Sequence, residues 1–208
     1  MLFNNGGTMR QESKGVTEAL LESATKEFLK EGFMKASLRK ISSESKVSTN
    51  SIYTRFKDKE GLFNAIVEES AKGLIDLYLK YIGQPFDDFD FSMIEEAGDQ
   101  GTYAVLEYIY QHFTEFKLIF CCSAGTKYER FLDELGEIEE SYYKKFIRRF
   151  SKPGYQVDDF FIHIICRNGW QFMYEVVAHD KTFEEAQSFI NSVELFDFAG
   201  WQAIMGLK

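Results

Sequence analysis

Proline is nearly missing from this chain: among 208 residues only Pro85 and Pro153 carry the ring that interrupts a helix, so most of the sequence is free to be helical. Cysteine is scarce as well. Cys121, Cys122 and Cys166 have no metal-ligand spacing, and neighbouring cysteines rarely pair, so they read as reduced core thiols of a cytoplasmic protein. No apolar run approaches the ~18 residues of a membrane span. The richest, "FFIHIICRNGW", has His163 and Arg167 inside it, so no membrane partner is expected. The start, "MLFNNGGTMRQESKG", lacks the apolar centre of a secretory signal, and residues 1–14 are expected to form a tail. Only three histidines occur, with no metal-spaced cluster, nucleophile elbow or phosphate-cradling glycine loop. Catalysis and a cofactor are therefore not expected, although Cys121 beside Cys122 leaves a redox pair or nucleophile as an alternative to two buried thiols.

What is present is helical spacing and an uneven charge. The net charge is −9, yet residues 1–66 hold 11 Lys and Arg against 8 Asp and Glu, and the acidic excess lies in the remainder. A basic head on an acidic body suits docking on phosphate with one end. Apolar residues recur with helical rather than alternating period throughout, which predicts an all-α fold. "TEALLESATKEFLKEG" places Leu20 or Leu21, Ala24 and Phe28 on one face, with Gly32 as its stop. Ser37 is expected to cap a short second helix with Leu38 and Ile41 inward. A third begins at Ser48 with Ile52 and Phe56 inward, and Asp58 caps a longer fourth. Residues 83–92 read as a connection. Further helices are expected at roughly 99–114, 115–123, 126–150, 157–179 and 182–205.

Two helices of about two turns joined by a few residues have the spacing of a helix-turn-helix. With Ile52 and Phe56 inward, Thr49, Asn50, Tyr53 and Thr54 face out, offering hydroxyl and amide groups to base edges or phosphates of double-stranded DNA. Ser37, Lys46, Ser48, Arg55, Lys57 and Lys59 complete the expected DNA-binding set, the lysines and Arg55 at the groove rim. The N–H groups opening the fourth helix offer a further phosphate site. A solvated helical hairpin is the alternative.

The stretch from Leu20 to Val67 resembles the DNA-binding domain of the TetR family of bacterial transcriptional regulators. The resemblance is carried by Leu20-Leu21, Ala24, Phe28 and Gly32-Phe33, then Ser37-Leu38-Arg39-Lys40-Ile41. Val47, Ser48, Ile52, Tyr53, Phe56, Lys59, Glu60 and Leu62 follow in the family's order. Ala36 stands where the family has threonine, Lys46 and Asn50 where glycine is common, and Arg55 where histidine or tyrosine is common. The resemblance implies a three-helix head over 15–62 and a helical ligand-binding and dimerisation body over 63–208. It implies a homodimer, its last two helices paired into a four-helix bundle, that represses transcription at a pseudo-palindromic operator until a small organic ligand releases it. A DNA-binding regulator governed by a protein partner is the alternative.

Residues 67–208 hold 28 of the 34 aromatic residues. His163, Arg167, Trp170 and Tyr174 share one face of the helix at 157–179, and Tyr108, His112 and Phe116 repeat that spacing. One cation among aromatics suits a planar or anionic ligand. Arg167 paired with a local carboxylate is the alternative. For the dimer surface, Cys166, Gly169 and Met173 form a small soft strip, and Phe189, Val193, Phe196 and Gly200 an apolar stripe that needs a cover, whether from a second copy or from the body itself.

Overall fold

A computed structural model describes residues 6–83 and 91–207, with side chains described from 15 to 83 and from 100 to 207. Among the described residues every regular element is an α-helix: α1 (Gly6–Lys35), α2 (Leu38–Ser45), α3 (Thr49–Phe56), α4 (Lys59–Ile82), α5 (Phe91–Gln111), α6 (Phe113–Cys121), α7 (Phe131–Phe150), α8 (Asp159–Ala178) and α9 (Phe183–Ile204). The all-α expectation holds.

The boundaries differ in three places. Helix α1 starts at Gly6, so the expected tail is helical from there on; its stretch to Gly15 holds no proline to prevent this. The connection expected at 83–92 falls mostly outside the described residues, and α5 already begins at Phe91. Helix α7 starts at Phe131 rather than near 126. Before it the backbone turns: Thr126 Oγ1 donates to the Ser123 carbonyl at 2.7 Å, Gly125 sits at φ 85°, and its N–H donates to Glu129.

Two compact units divide the chain, one of residues 1–70 with 117–129, the other of 71–116 with 130–208. In the first, Leu20, Ala24 and Phe28 of α1, Ile41 of α2, Ile52 of α3 and Leu62, Phe63 and Val67 of α4 are fully buried. Phe63 packs edge-on against Phe28 and Phe33 at 5.2 and 5.5 Å. Gly32, at φ 71°, breaks the regular run of α1 where the sequence places its stop. In the second unit α7 and α8 pack side by side. Gly136 of α7 has no side chain where the Arg167 stem of α8 passes, since a Cβ there would stand 3.3 Å from Arg167 Cγ. Thr182 and Glu185 close a reciprocal capping box on α9. Phe146, Ile147, Ile162, Cys166, Trp201 and Met205 form a core of this unit.

Candidate nucleic-acid interface and body cavity

The head builds its interface from short-range bonds. Ser37 caps α2 by accepting from the Lys40 N–H, and Ser48 caps α3 by accepting from the Ser51 N–H. Between the two helices Lys46 takes the left-handed conformation at φ 57°, ψ 25°, its N–H donating to the Ser42 and Ser43 carbonyls. A glycine would hold this turn without strain. Ile52 is fully buried and Phe56 half-buried, which fixes the rotation of α3. Asn50, Tyr53 and Thr54 are exposed and Thr49 is half-buried; Tyr53 keeps 52% of its surface. Lys46, Lys57 and Arg55 are exposed too, Arg55 donating through Nε to Thr17 Oγ1 at 3.2 Å. Lys57, at φ 71°, ψ −51°, ends the helix in a strained conformation.

Lys59 is placed otherwise than the sequence suggests. Its Nζ donates to the carbonyls of Met34 and Ala36 at 3.1 and 3.3 Å and lies 4.6 Å from the centre of the Phe33 ring. The ammonium thus closes the end of α1, where unpaired carbonyls collect partial negative charge. At the start of α4 one N–H expected for phosphate, that of Gly61, is taken by Asp58 Oδ1 at 2.7 Å.

Glu27 is the head residue that the sequence reading passed over. It is 3% exposed, accepts from the Ser37 N–H at 3.2 Å and pairs with Lys40 Nζ at 2.5 Å. Burial pushes its carboxyl up, but the Lys40 bond and the Ser37 N–H together outweigh burial and leave it below its ordinary value. A charge three residues past Ala24, on the buried face of α1, was the signal.

Residues 20–66 match the model of bacterial regulatory proteins, tetR family. The head is a TetR-family helix-turn-helix. The chain is similar over most of its length to solved structures of that fold. A TerR/AcrR-family transcriptional regulator from Aquifex aeolicus shares 16% identity at TM-score 0.59, with 87% of this chain and 99% of that one covered. A TetR-like regulator from Rhodococcus sp. RHA1 shares 15% at TM-score 0.60, covering 89% and 96%. NalD, the secondary repressor of the MexAB-OprM multidrug efflux pump in Pseudomonas aeruginosa, shares 12% at TM-score 0.59, covering 88% and 96%. At such identities these neighbours establish the fold. No curated protein matches the chain.

The second unit holds a half-open cavity of about 250 Å³. Its walls come from the end of α4 (Tyr78, Tyr81, Ile82), from α5 (Gly101, Thr102, Val105) and from α7 (Glu139, Tyr142, Tyr143, Phe146). Helix α8 adds Gly169, Trp170, Phe172 and Met173, and α9 adds Ile190, Val193, Glu194, Asp197, Phe198 and Trp201. Tyr78 meets Trp170 edge-on at 4.9 Å, and Tyr143 stacks on Trp201 at 4.9 Å. Among the described residues three carboxyl groups line this space and no Lys, Arg or His does. Burial, then the Asp197 charge, push the Glu139 carboxyl up to about 8, with the Trp170 indole pulling slightly the other way. Burial likewise raises Asp197, Tyr78 and Tyr143.

The cavity corrects the expected ligand face. Of the seven residues named for it, only Trp170 lines this space. Arg167 pairs with Asp133, and His163 Nδ1 meets Glu140 Oε2 at 2.8 Å, so both are committed to acids of α7. Tyr174 is half-buried outside the lining. Tyr108, His112 and Phe116 do come together, with ring centres 4.6 and 6.0 Å apart from Tyr108, and the Tyr108 hydroxyl occupies the space beside Gly73 of α4. They make a packing cluster.

The expected dimer strip on α8 turns inward as well. Cys166 and Met173 are buried, and Gly169 and Met173 line the cavity, so none of the three offers an outward face. A Cβ on Gly169 would stand 3.7 Å from both Glu139 carboxylate oxygens. On α9, Val193 lines the cavity, whereas Phe189, Phe196 and Gly200 are exposed. Phe160, Phe161 and Ile164 of α8 and Leu195 of α9 are exposed large apolar residues that the sequence reading did not single out. Cys121 is exposed rather than buried. Among the described residues no helix is long and apolar enough to cross a membrane.

Proposed function

We propose that this chain is a homodimeric transcriptional regulator, acting as a repressor, that binds a pseudo-palindromic operator through α3 and is governed by what occupies the body cavity. The observation that carries the reading is the head itself: α3 is capped by Ser48, anchored by Ile52, and presents Asn50, Tyr53 and Thr54 to solvent. Those groups can meet base edges, and Lys46, Arg55 and Lys57 can meet phosphates. Exposed Leu195 and Phe196 on α9, with Phe160, Phe161 and Ile164 on α8, support pairing with a second copy. The last turns of α4 wall the cavity, so an occupant that favours one position of that helix biases DNA affinity; a coupling of about 1–3 kcal/mol is the usual size.

Selection of bound sequences from a random duplex pool tests it. The expected product is a pair of inverted half-sites whose centres lie about one DNA turn or more apart. Binding without sequence enrichment would count against the reading.

A further inference from the structure

We propose that the body cavity takes a lipophilic organic cation, held by Glu139 and Asp197 among aromatic faces. This rests on the reading of the body as the ligand-controlled part of a regulator and names the charge class of that ligand, where the sequence suggests a planar or anionic one.

Three observations converge. First, carboxyl groups from two helices, Glu139 on α7 and Asp197 with Glu194 on α9, line one half-open space of about 250 Å³ that, among the described residues, no basic side chain lines. Among the described residues, neither Glu139 nor Asp197 forms an ion pair, whereas nearby Glu140 holds both Lys144 and His163. The basic groups of this region are thus spent on the outer acids. Burying acids near one another with no counter-charge is unfavourable, and the raised Glu139 carboxyl reports that shortage. A bound cation supplies what is lacking.

Second, the walls between the acids are aromatic. The Tyr78–Trp170 and Tyr143–Trp201 ring pairs both line the space, and aromatic faces attract a desolvated organic cation. Third, Trp170 is 4% exposed and its indole N–H closes no hydrogen bond of proper geometry, although Glu139 stands close enough to feel it. A buried donor left open in a cavity wall is a place for an acceptor atom on the ligand. Gly169 belongs to the same design: its missing side chain leaves the Glu139 carboxylate uncovered.

Both of the chain's tryptophans, Trp170 and Trp201, line the cavity, so intrinsic fluorescence reports its occupancy directly. Three probes of one shape separate charge from bulk: phenyltrimethylammonium, tert-butylbenzene and benzenesulfonate. The wild-type chain should bind the cation saturably and at least ten-fold more tightly than the neutral probe, and the anion least. Glu139→Gln with Asp197→Asn should abolish that ten-fold preference while still binding the neutral probe, and the retained binding shows that the variant is folded. A cation that fails to saturate up to its solubility limit, an anion that binds better, or a preference unchanged in the double variant would each overturn the proposal. Operator retention measured with the same probe keeps the two readings apart. Selective cation binding that leaves DNA affinity unchanged would sustain the cation site and count against ligand control. Release of operator by an extract fraction of neutral or anionic compounds, with no cation selectivity in fluorescence, would do the reverse.

Discussion

Gly61 lies directly beneath the carbonyl of Phe56: a Cβ at Gly61 would overlap that oxygen, and the Phe56 carbonyl is backbone that cannot swing aside. The close approach lets α4 turn away from α3 immediately after Lys57. Gly61→Ala must therefore push α3 and α4 apart. The expected cost is about 1–3 kcal/mol, the usual size of an overpacking error, read from the urea midpoint. Operator affinity should fall with it, because α3 loses its fixed rotation.

Glu27 makes the head sensitive to acid. Its carboxyl sits below its ordinary 4.5 in the fold, so its contribution is complete above that value and is lost as pH falls through the folded pKa. Glu27→Ala should cost roughly 1–3 kcal/mol at pH 7, since the Ser37 N–H loses its acceptor at the cap of α2. The difference between variant and wild type should shrink steadily below pH 4.5 in acid-unfolding curves.

Glu139 acts in the opposite sense. Burial first and the Asp197 charge second hold its pKa near 8, with Tyr143 of α7, Tyr78 of α4, Cys166 of α8 and Glu194 of α9 among its titratable neighbours and, among the described residues, no basic group lining the cavity. The folded chain keeps this proton where the unfolded chain releases it. Stability should thus fall as pH rises from about 4.5 to 8. Glu139→Gln should flatten that slope and be the more stable protein at pH 8 by urea denaturation.

How much of this was legible in the sequence depends on the range of the interaction. Ser37 and Ser48 as caps, Gly32 as the stop and Ile52 as the anchor of α3 are local decisions, made within one or two turns, and the residues announce them. The rotation of α8 is different. It reads "DFFIHIICRNGWQFMYEVVA", with large apolar residues on every side, so periodicity does not choose which face turns in. Ile162, Cys166, Trp170 and Met173 won, and His163 and Arg167 moved to the flank. Their partners Glu140 and Asp133 lie 23 and 34 residues away on α7, beyond the reach of local spacing. Lys59 likewise reads as a rim cation in sequence, and only the fold brings it beneath the end of α1.

The dimer reading gives a test on α9. Phe196 is 78% exposed and Leu195 75%, adjacent apolar side chains that a second copy would cover. Phe196→Glu with Leu195→Glu should yield a monomer in sedimentation at micromolar concentration, with helical content unchanged and binding to the two-half-site operator lost. A monomeric wild type under the same conditions would remove the homodimer from the account.

The most direct test of DNA recognition compares Tyr53→Ala with Lys59→Ala on the selected operator, by fluorescence anisotropy over a series of salt concentrations. Tyr53 keeps 52% of its surface exposed, so its loss should weaken specific binding by about 1–3 kcal/mol while melting temperature and non-specific binding change little. Lys59 closes α1, so its loss should lower the melting temperature and leave the salt slope intact. A Tyr53→Ala protein that binds the operator as tightly as wild type would contradict the assignment of α3 as the recognition helix.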